Sequence, residues 1–308
     1  MGSPPRLAPR PGNASLGTRA ARLAWPQGSC YEAHGIRLGV RSNDPRILAS
    51  LPNLLPPGAQ PTTSPFVHLA FSLWLKRETG VVTHDWRGFD PVHGRDRSVR
   101  QSDLPRALAA LESAMRQGVA ALAPDRVFVH AGVVGWRGRA ILLPGRSRSG
   151  KSTLVAELVR AGASYLSDEF ASLDVEGRVH PFTKPLTIRG EDGDDLAARR
   201  VLAEDLGGHD ASEPLPVGLV ALADYRSGAS WQPAVLSQGH GVLEMFAHTV
   251  PARLRPEAAL EALERATDGA SILKGERGEA AETARRMLAA LDAGRGLPLG
   301  RCSGGDAS

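Results

Sequence analysis

Gly145-Arg146-Ser147-Arg148-Ser149-Gly150-Lys151-Ser152-Thr153 is the stretch that most limits what this chain can fold into. It fits G-x-x-x-x-G-K-[ST], in which each fixed residue has a physical task. Gly145 and Gly150 permit a tight turn and let backbone N–H groups approach an anion closely. Lys151 brings positive charge to the outer phosphates of a nucleotide, and the Ser152 hydroxyl is a ligand for magnesium. A helix after the loop points its positive end at the anion. Such a loop needs a strand before it and a helix behind it, and both are legible. Ala140-Ile141-Leu142-Leu143 reads as a buried strand. Leu154, Val155, Leu158 and Val159 form an apolar stripe at helical spacing, with Gly162 as its stop. A glycine-rich turn ahead of an ordinary helix is the plainer alternative, and these flanks argue against it.

The rest of the composition narrows the class. A chain of 308 residues, 42% apolar and 23% charged, is expected to bury one large core or two modest ones. No apolar run approaches the ~18 residues of a membrane span. The net charge of +4 rests on scattered arginines rather than on a basic stripe with interleaved aromatics, so no nucleic-acid partner is expected. Cys30 and Cys302 are the only cysteines and have no metal-ligand spacing; a reducing cytoplasm fits them. Residues 1–28 are rich in Pro, Gly, Ala and Arg and read as a disordered tail, as do residues 296–308.

Residues 29–124 read as a small N-terminal α+β accessory module. It has a strand at Ile36–Arg41, a short helix at Arg46–Leu51, strands at Val67–Leu75 and Val81–His84, and a long helix at Leu104–Leu122. Asp103 is that helix's cap, and Leu108, Leu111, Met115, Val119 and Leu122 are its buried stripe. His68, His84 and His93 are isolated and read as packing or surface residues. Ala123-Pro124-Asp125 marks a boundary. Beyond it, Val127–Gly135 and Ala140–Leu143 read as a hairpin whose second strand feeds the loop, an antiparallel entry. Asp168 and Glu169 follow a short strand and form an acid pair able to hold metal and accept a hydroxyl proton. Ser172–His180 reads as a second hairpin turning at Glu176-Gly177. Residues 190–215 show no clear period and read as a mobile loop or an irregular insertion. Val217–Leu222 reads as a buried strand, and helices are expected at Val242–Thr249, Pro256–Ala266 and Glu279–Leu291.

At His130 a family pattern emerges. The run His130-Ala131-Gly132-Val133-Val134, then Ile141-Leu142-Leu143-Pro144-Gly145, the Gly-Lys-Ser-Thr loop and Leu166-Ser167-Asp168-Glu169 resembles the C-terminal kinase domain of HPr kinase/phosphorylase. It is similar also to the looser group of HPr-kinase-related proteins. Pro181–Leu186 and Lys274–Glu279 resemble later stretches of the same relatives. The resemblance spans about residues 125–292, and the domain it implies runs over 125–295. It implies an α/β fold like the nucleotide-binding core of phosphoenolpyruvate carboxykinase: a mixed sheet with the P-loop fed by an antiparallel hairpin.

The resemblance further implies an ATP-dependent kinase that passes the γ-phosphate to a hydroxyl, typically serine, of a protein or peptide acceptor. The cofactors would be ATP and Mg2+. Residues 145–153 would bind the nucleotide, with Lys151 neutralising transferred charge. Asp168 would be the general base, Ser152, Asp168 and Glu169 the metal ligands, and His130 would sit beside the phosphate, as a protonated stabiliser or as a structural histidine of its strand. Lys184 and Arg189 are within the same reading as phosphate or substrate contacts, or as surface charges. Thr153 stands where authentic HPr kinases carry an acid, and the phosphorylase signature is reduced to Thr187-Ile188-Arg189-Gly190. These departures motivate an alternative, a non-catalytic ATP-binding regulatory or assembly module. An ordinary P-loop ATPase is a third reading, disfavoured for want of an apolar strand ending in an acid. Homo-oligomerisation stays open.

Overall fold

The computed structural model describes residues 28–64, 66–78, 81–146, 149–188 and 199–293. The two terminal tails, Ser147, Arg148 and Arg189 lie outside these residues. The chain divides into two compact units, one ending at Pro124 and the other starting at Asp125.

The first unit comprises β1 (Gly28–Ala33), β2 (Ile36–Ser42), α1 (Pro45–Ser50), β3 (Gln60–Pro61), β4 (Leu69–Glu78), β5 (Val81–Asp90), β6 (Arg95–Gln101) and α2 (Leu104–Leu122). Its six-stranded sheet runs β3-β1-β2-β4-β5-β6, with β2 and β4 parallel and the remaining pairs antiparallel. α2 begins where a cap residue dictates: the Asp103 carboxylate accepts from the Arg106 N–H at 2.9 Å. Leu111, Met115 and Val119 are fully buried, the stripe that helical spacing requires. Gly118 allows α2 to sit against Leu69, whose methyl a Cβ there would meet at 2.4 Å. β5 is longer than expected, and β6 was not legible at all. Its sequence, Arg-Asp-Arg-Ser-Val-Arg-Gln, is almost wholly exposed at the sheet edge, so it carries no apolar alternation, and only its ladder to β5 makes it a strand.

The second unit is built from β7 (Val127–Trp136), β8 (Arg139–Pro144), α3 (Lys151–Arg160), β9 (Ser164–Ser167), β10 (Phe170–Leu173), β11 (Val179–His180), β12 (Leu186–Ile188), β13 (Arg199–Val201), β14 (Val217–Tyr225), β15 (Ala234–Val235), α4 (Gln238–Phe246), α5 (Pro256–Thr267), β16 (Ser271–Arg277) and α6 (Ala280–Ala293). Its main sheet runs β11-β10-β7-β8-β14-β16-β15, and β9 also lies beside β7. The sheet is mixed. β8 is antiparallel to β7 but parallel to β14, which is parallel to β16. Arg137 and Gly138, both at positive φ, turn β7 back into β8.

Each central strand is apolar on both faces because helices cover both. On β8, Ala140 and Leu142 join Val129, Val220, Met245 and Leu263 under α4 and α5. Ile141 and Leu143 join Leu158, Leu219, Met287 and Leu288 under α3 and α6. Burying each Leu, Ile or Val side chain is worth roughly 1.5–3 kcal/mol, so β8 is anchored from both sides.

Two expectations are corrected here. Within 190–215, residues from Arg199 onward are ordered: β13 pairs with β12, and a short turn at Glu204–Leu206 closes on Gly207. α4 starts at Gln238, capped by Ser237, and ends at Phe246 rather than Thr249. Gly239 and Gly241 in its first turns lower the local helix propensity and hid the true start. Among the described residues, no helix is long and apolar enough to cross a membrane.

Candidate functional site

The site is organised by β7. On one side, Ala131 and Gly132 pair with Pro144 and Leu143, and the His130 carbonyl accepts from the Gly145 N–H at 3.2 Å. On the other side, β10 pairs up to Phe170 opposite His130, and β9 pairs from Ser167 opposite Val133. Asp168 and Glu169 are the two residues left between those ladders. The Ser167 hydroxyl accepts from the Glu169 and Phe170 N–H groups at 3.1 and 3.0 Å and shapes this bulge. The Glu169 carbonyl accepts from Ala131 N–H at 3.1 Å. One stretch of β7 thus brings the glycine loop, the acid pair and His130 together.

The loop leaves β8 at Gly145 and enters α3 through Gly150, whose φ of 78° is left-handed. The Lys151 ammonium donates to the Gly145 carbonyl at 2.8 Å and to the Arg146 carbonyl. Arg146 is exposed, and Thr153 faces outward from α3. Ser152, one residue before it, points inward and donates to Asp168 Oδ2 at 3.2 Å. Asp168 is nearly enclosed. Its Oδ2 also accepts from the Thr187 N–H at 3.1 Å. Its Oδ1 accepts from the Tyr165 hydroxyl at 3.2 Å and lies 2.9 Å from the Lys184 ammonium. Lys184 reaches Glu169 Oε2 at 3.8 Å. Lys184 is therefore bound to the acid pair, not to open solvent. Burial, then the charge of Asp168, pushes the Tyr165 hydroxyl well above its ordinary value, so it stays a neutral donor.

His130 packs its ring on Phe170, 4.8 Å between centroids. Burial, then Lys151 and His248, lowers its pKa to about 4. The expected protonated stabiliser is therefore a neutral imidazole at neutral pH, because its own surroundings disfavour a second positive charge beside Lys151.

Four residues escaped sequence reasoning. Tyr165 carries no motif signal and lies within the short strand that precedes the acid pair. The His248 carbonyl accepts from the His130 N–H at 2.8 Å, and the pKa of its side chain is lowered by burial and then by Lys151 and Arg146, which places it at the loop. Arg277, 3% exposed, donates to the Gly150 and Ser149 carbonyls at 3.0 and 3.5 Å. Asp224 sits near the end of β14, which is buried from Val217 to Leu222 and parallel to β8, so it leaves the sheet at the loop's end. This corrects the expectation that no apolar strand ends in an acid. The signal was present in Val217–Asp224, but Gly218, Ala221 and Ala223 diluted it. His248 had no local signal and Arg277 only its place in the Lys274–Glu279 stretch of the resemblance, since strand pairing alone brings them near.

Among the described residues no group of three His, Cys, Asp or Glu side chains converges as a metal cage. The donor set suits magnesium all the same. Ser152 Oγ and Asp168 Oδ2 are two hard oxygens 3.2 Å apart, and magnesium is commonly held by one or two protein oxygens, with phosphates and water completing its shell. Set beside known proteins, the chain matches no family model and no curated protein.

Proposed function

We propose that the second unit is an ATP-dependent phosphotransferase of the HPr-kinase type, acting on a hydroxyl of a protein or peptide. The observation that carries this reading is the convergence on β7 of a glycine loop at a helix start, an enclosed carboxylate touching the loop's serine, and a half-buried histidine. Gly145 through Thr153 would cradle the β- and γ-phosphates on backbone N–H groups at the positive end of α3. Lys151, swinging from the Gly145 and Arg146 carbonyls, would meet the transferred group. Ser152 and Asp168, with Glu169 alongside, would hold magnesium, which when bound offsets charge between the phosphates. Asp168 would orient the acceptor hydroxyl and take its proton. Neutral His130 would donate a hydrogen bond to a phosphate oxygen, and the anion's charge would raise its pKa.

The non-catalytic alternative has one observation in its favour. Asp168 already engages Ser152, Tyr165, Thr187 and Lys184, which uses the lone pairs a general base needs. Catalysis requires at least one of these partners to let go. The two readings separate in one experiment with radiolabelled ATP, magnesium and candidate acceptor peptides. As a kinase, wild type transfers label, Lys151→Ala loses nucleotide binding, and Asp168→Asn binds nucleotide but transfers roughly 10²–10⁴-fold more slowly. If wild type binds nucleotide yet transfers no more than Lys151→Ala, the kinase reading fails and the binding module stands.

A further inference from the structure

Arg277 is the last residue of β16, 127 positions from Gly150 along the chain. Its guanidinium is buried, lies over the Tyr225 ring at 5.2 Å, and spends its donors on three backbone carbonyls: Gly278 at 3.0 Å, Gly150 at 3.0 Å and Ser149 at 3.5 Å. Tyr225 and Arg277 are register partners at the ends of β14 and β16, so the sheet itself sets the guanidinium's position. The fit is tight. A Cβ added to Gly150 would come within 2.5 Å of Arg277 Nη2.

The geometry has a consequence for the loop's donors. In a trans peptide the C=O and the following N–H point in opposite directions. The Ser149 carbonyl shares its peptide with the Gly150 N–H, and the Gly150 carbonyl shares its peptide with the Lys151 N–H. A guanidinium that takes both carbonyls therefore turns both N–H groups the other way. Both bonds come from Nη2 while Nη1 holds the Gly278 carbonyl, and this fixed planar fork makes the contact an orienting one as well as a charge.

Granting the nucleotide site proposed above, we propose that Arg277 is a positioning residue: it pulls the Ser149 and Gly150 carbonyls back and so presents the Gly150 and Lys151 N–H groups to the phosphates. It touches no substrate. Arg277→Lys keeps the charge and loses the fork; Arg277→Met loses both. Exposed Arg226, just past the end of β14 and ion-paired to Glu276 of β16 at 2.9 Å, supplies a nearby control of equal charge.

The test is calorimetric titration of the full chain with a non-hydrolysable ATP analogue and, separately, with pyrophosphate, each with magnesium. Arg277→Met should weaken both ligands by a similar factor, roughly 10- to 100-fold, with Arg277→Lys in between and Arg226→Met unchanged. A side chain that served only the fold would lower the melting temperature and leave the affinity of the folded protein alone. Wild-type affinity in a folded Arg277→Met overturns the assignment. If that variant fails to fold, Arg277→Lys decides, and unchanged affinity there overturns it equally. If wild type binds neither ligand, the nucleotide site itself is wrong and the brace falls with it.

Discussion

Replacing Gly150 by alanine probes the loop and its support in one step. Gly150 has φ 78° and ψ 15°, a conformation that costs a residue with a Cβ about 1–2 kcal/mol. The new methyl would also stand 2.5 Å from Arg277 Nη2. Arg277 is 3% exposed and cannot swing into water, so it must retreat and weaken its bond to the Gly150 carbonyl at 3.0 Å. A hydrogen bond from a charged donor is worth about 1.5–3 kcal/mol. Gly150→Ala should therefore cost about 2.5–5 kcal/mol. Gly138 isolates the first contribution: it has φ 80°, and nothing lies within 4 Å of its Cβ position. Gly138→Ala should cost only about 1–2 kcal/mol. Urea titrations of wild type and both variants measure the difference, provided the slope of the transition is unchanged. In an Arg277→Met background the gap between the two alanine variants should close. Equal losses for both in the wild-type background would refute the packing of Arg277 on the loop.

Other outcomes follow from the same geometry. With its folded pKa near 4 against an ordinary value of 6.5, His130 is neutral in the native state while the unfolded chain takes up a proton. Its contribution is thus present above about pH 6.5 and is lost as pH falls toward 4, up to about 3 kcal/mol. His248, also lowered, acts in the same direction. Stability measured across that window should fall less steeply for His130→Gln; an unchanged slope would show that His130 is not held neutral by its surroundings. Lys184→Met leaves Asp168 enclosed with one cation fewer, the two side chains being 14% and 3% exposed. Three hydrogen bonds to Asp168 remain, so the loss should be about 2–4 kcal/mol in urea unfolding. A loss below about 1 kcal/mol would mean that the pair is solvent-screened.

Much of the fold was legible because short-range rules apply to it. The α2 limits follow from Asp103 and the Leu111-Met115-Val119 stripe, and the β7–β8 hairpin from two apolar runs around Arg137-Gly138. The loop, the acid pair and His130 were found as motifs. What escaped had either the wrong surface or distant partners. β6 is an exposed edge strand whose ladder to β5 no periodicity announces. Lys184 read as a phosphate or substrate contact or as a surface charge, yet it neutralises Asp168 because Pro181–Pro185 passes beside β9, where Phe182 N–H bonds the Leu166 carbonyl at 3.0 Å.

The sequence by itself determined the loop, its helix, its antiparallel feeding strand and the types of residue available for chemistry. These depend on neighbours within a few positions, through glycine dihedrals, caps and apolar spacing. Only the tertiary structure decided which side chains act on the loop and in what charge state. Register on β7 placed Asp168 against Ser152, the parallel pairing of β14 and β16 delivered Arg277 behind Gly150, and burial made His130 neutral. Those outcomes are set by strand pairing and desolvation across more than a hundred residues of chain, which no local pattern encodes.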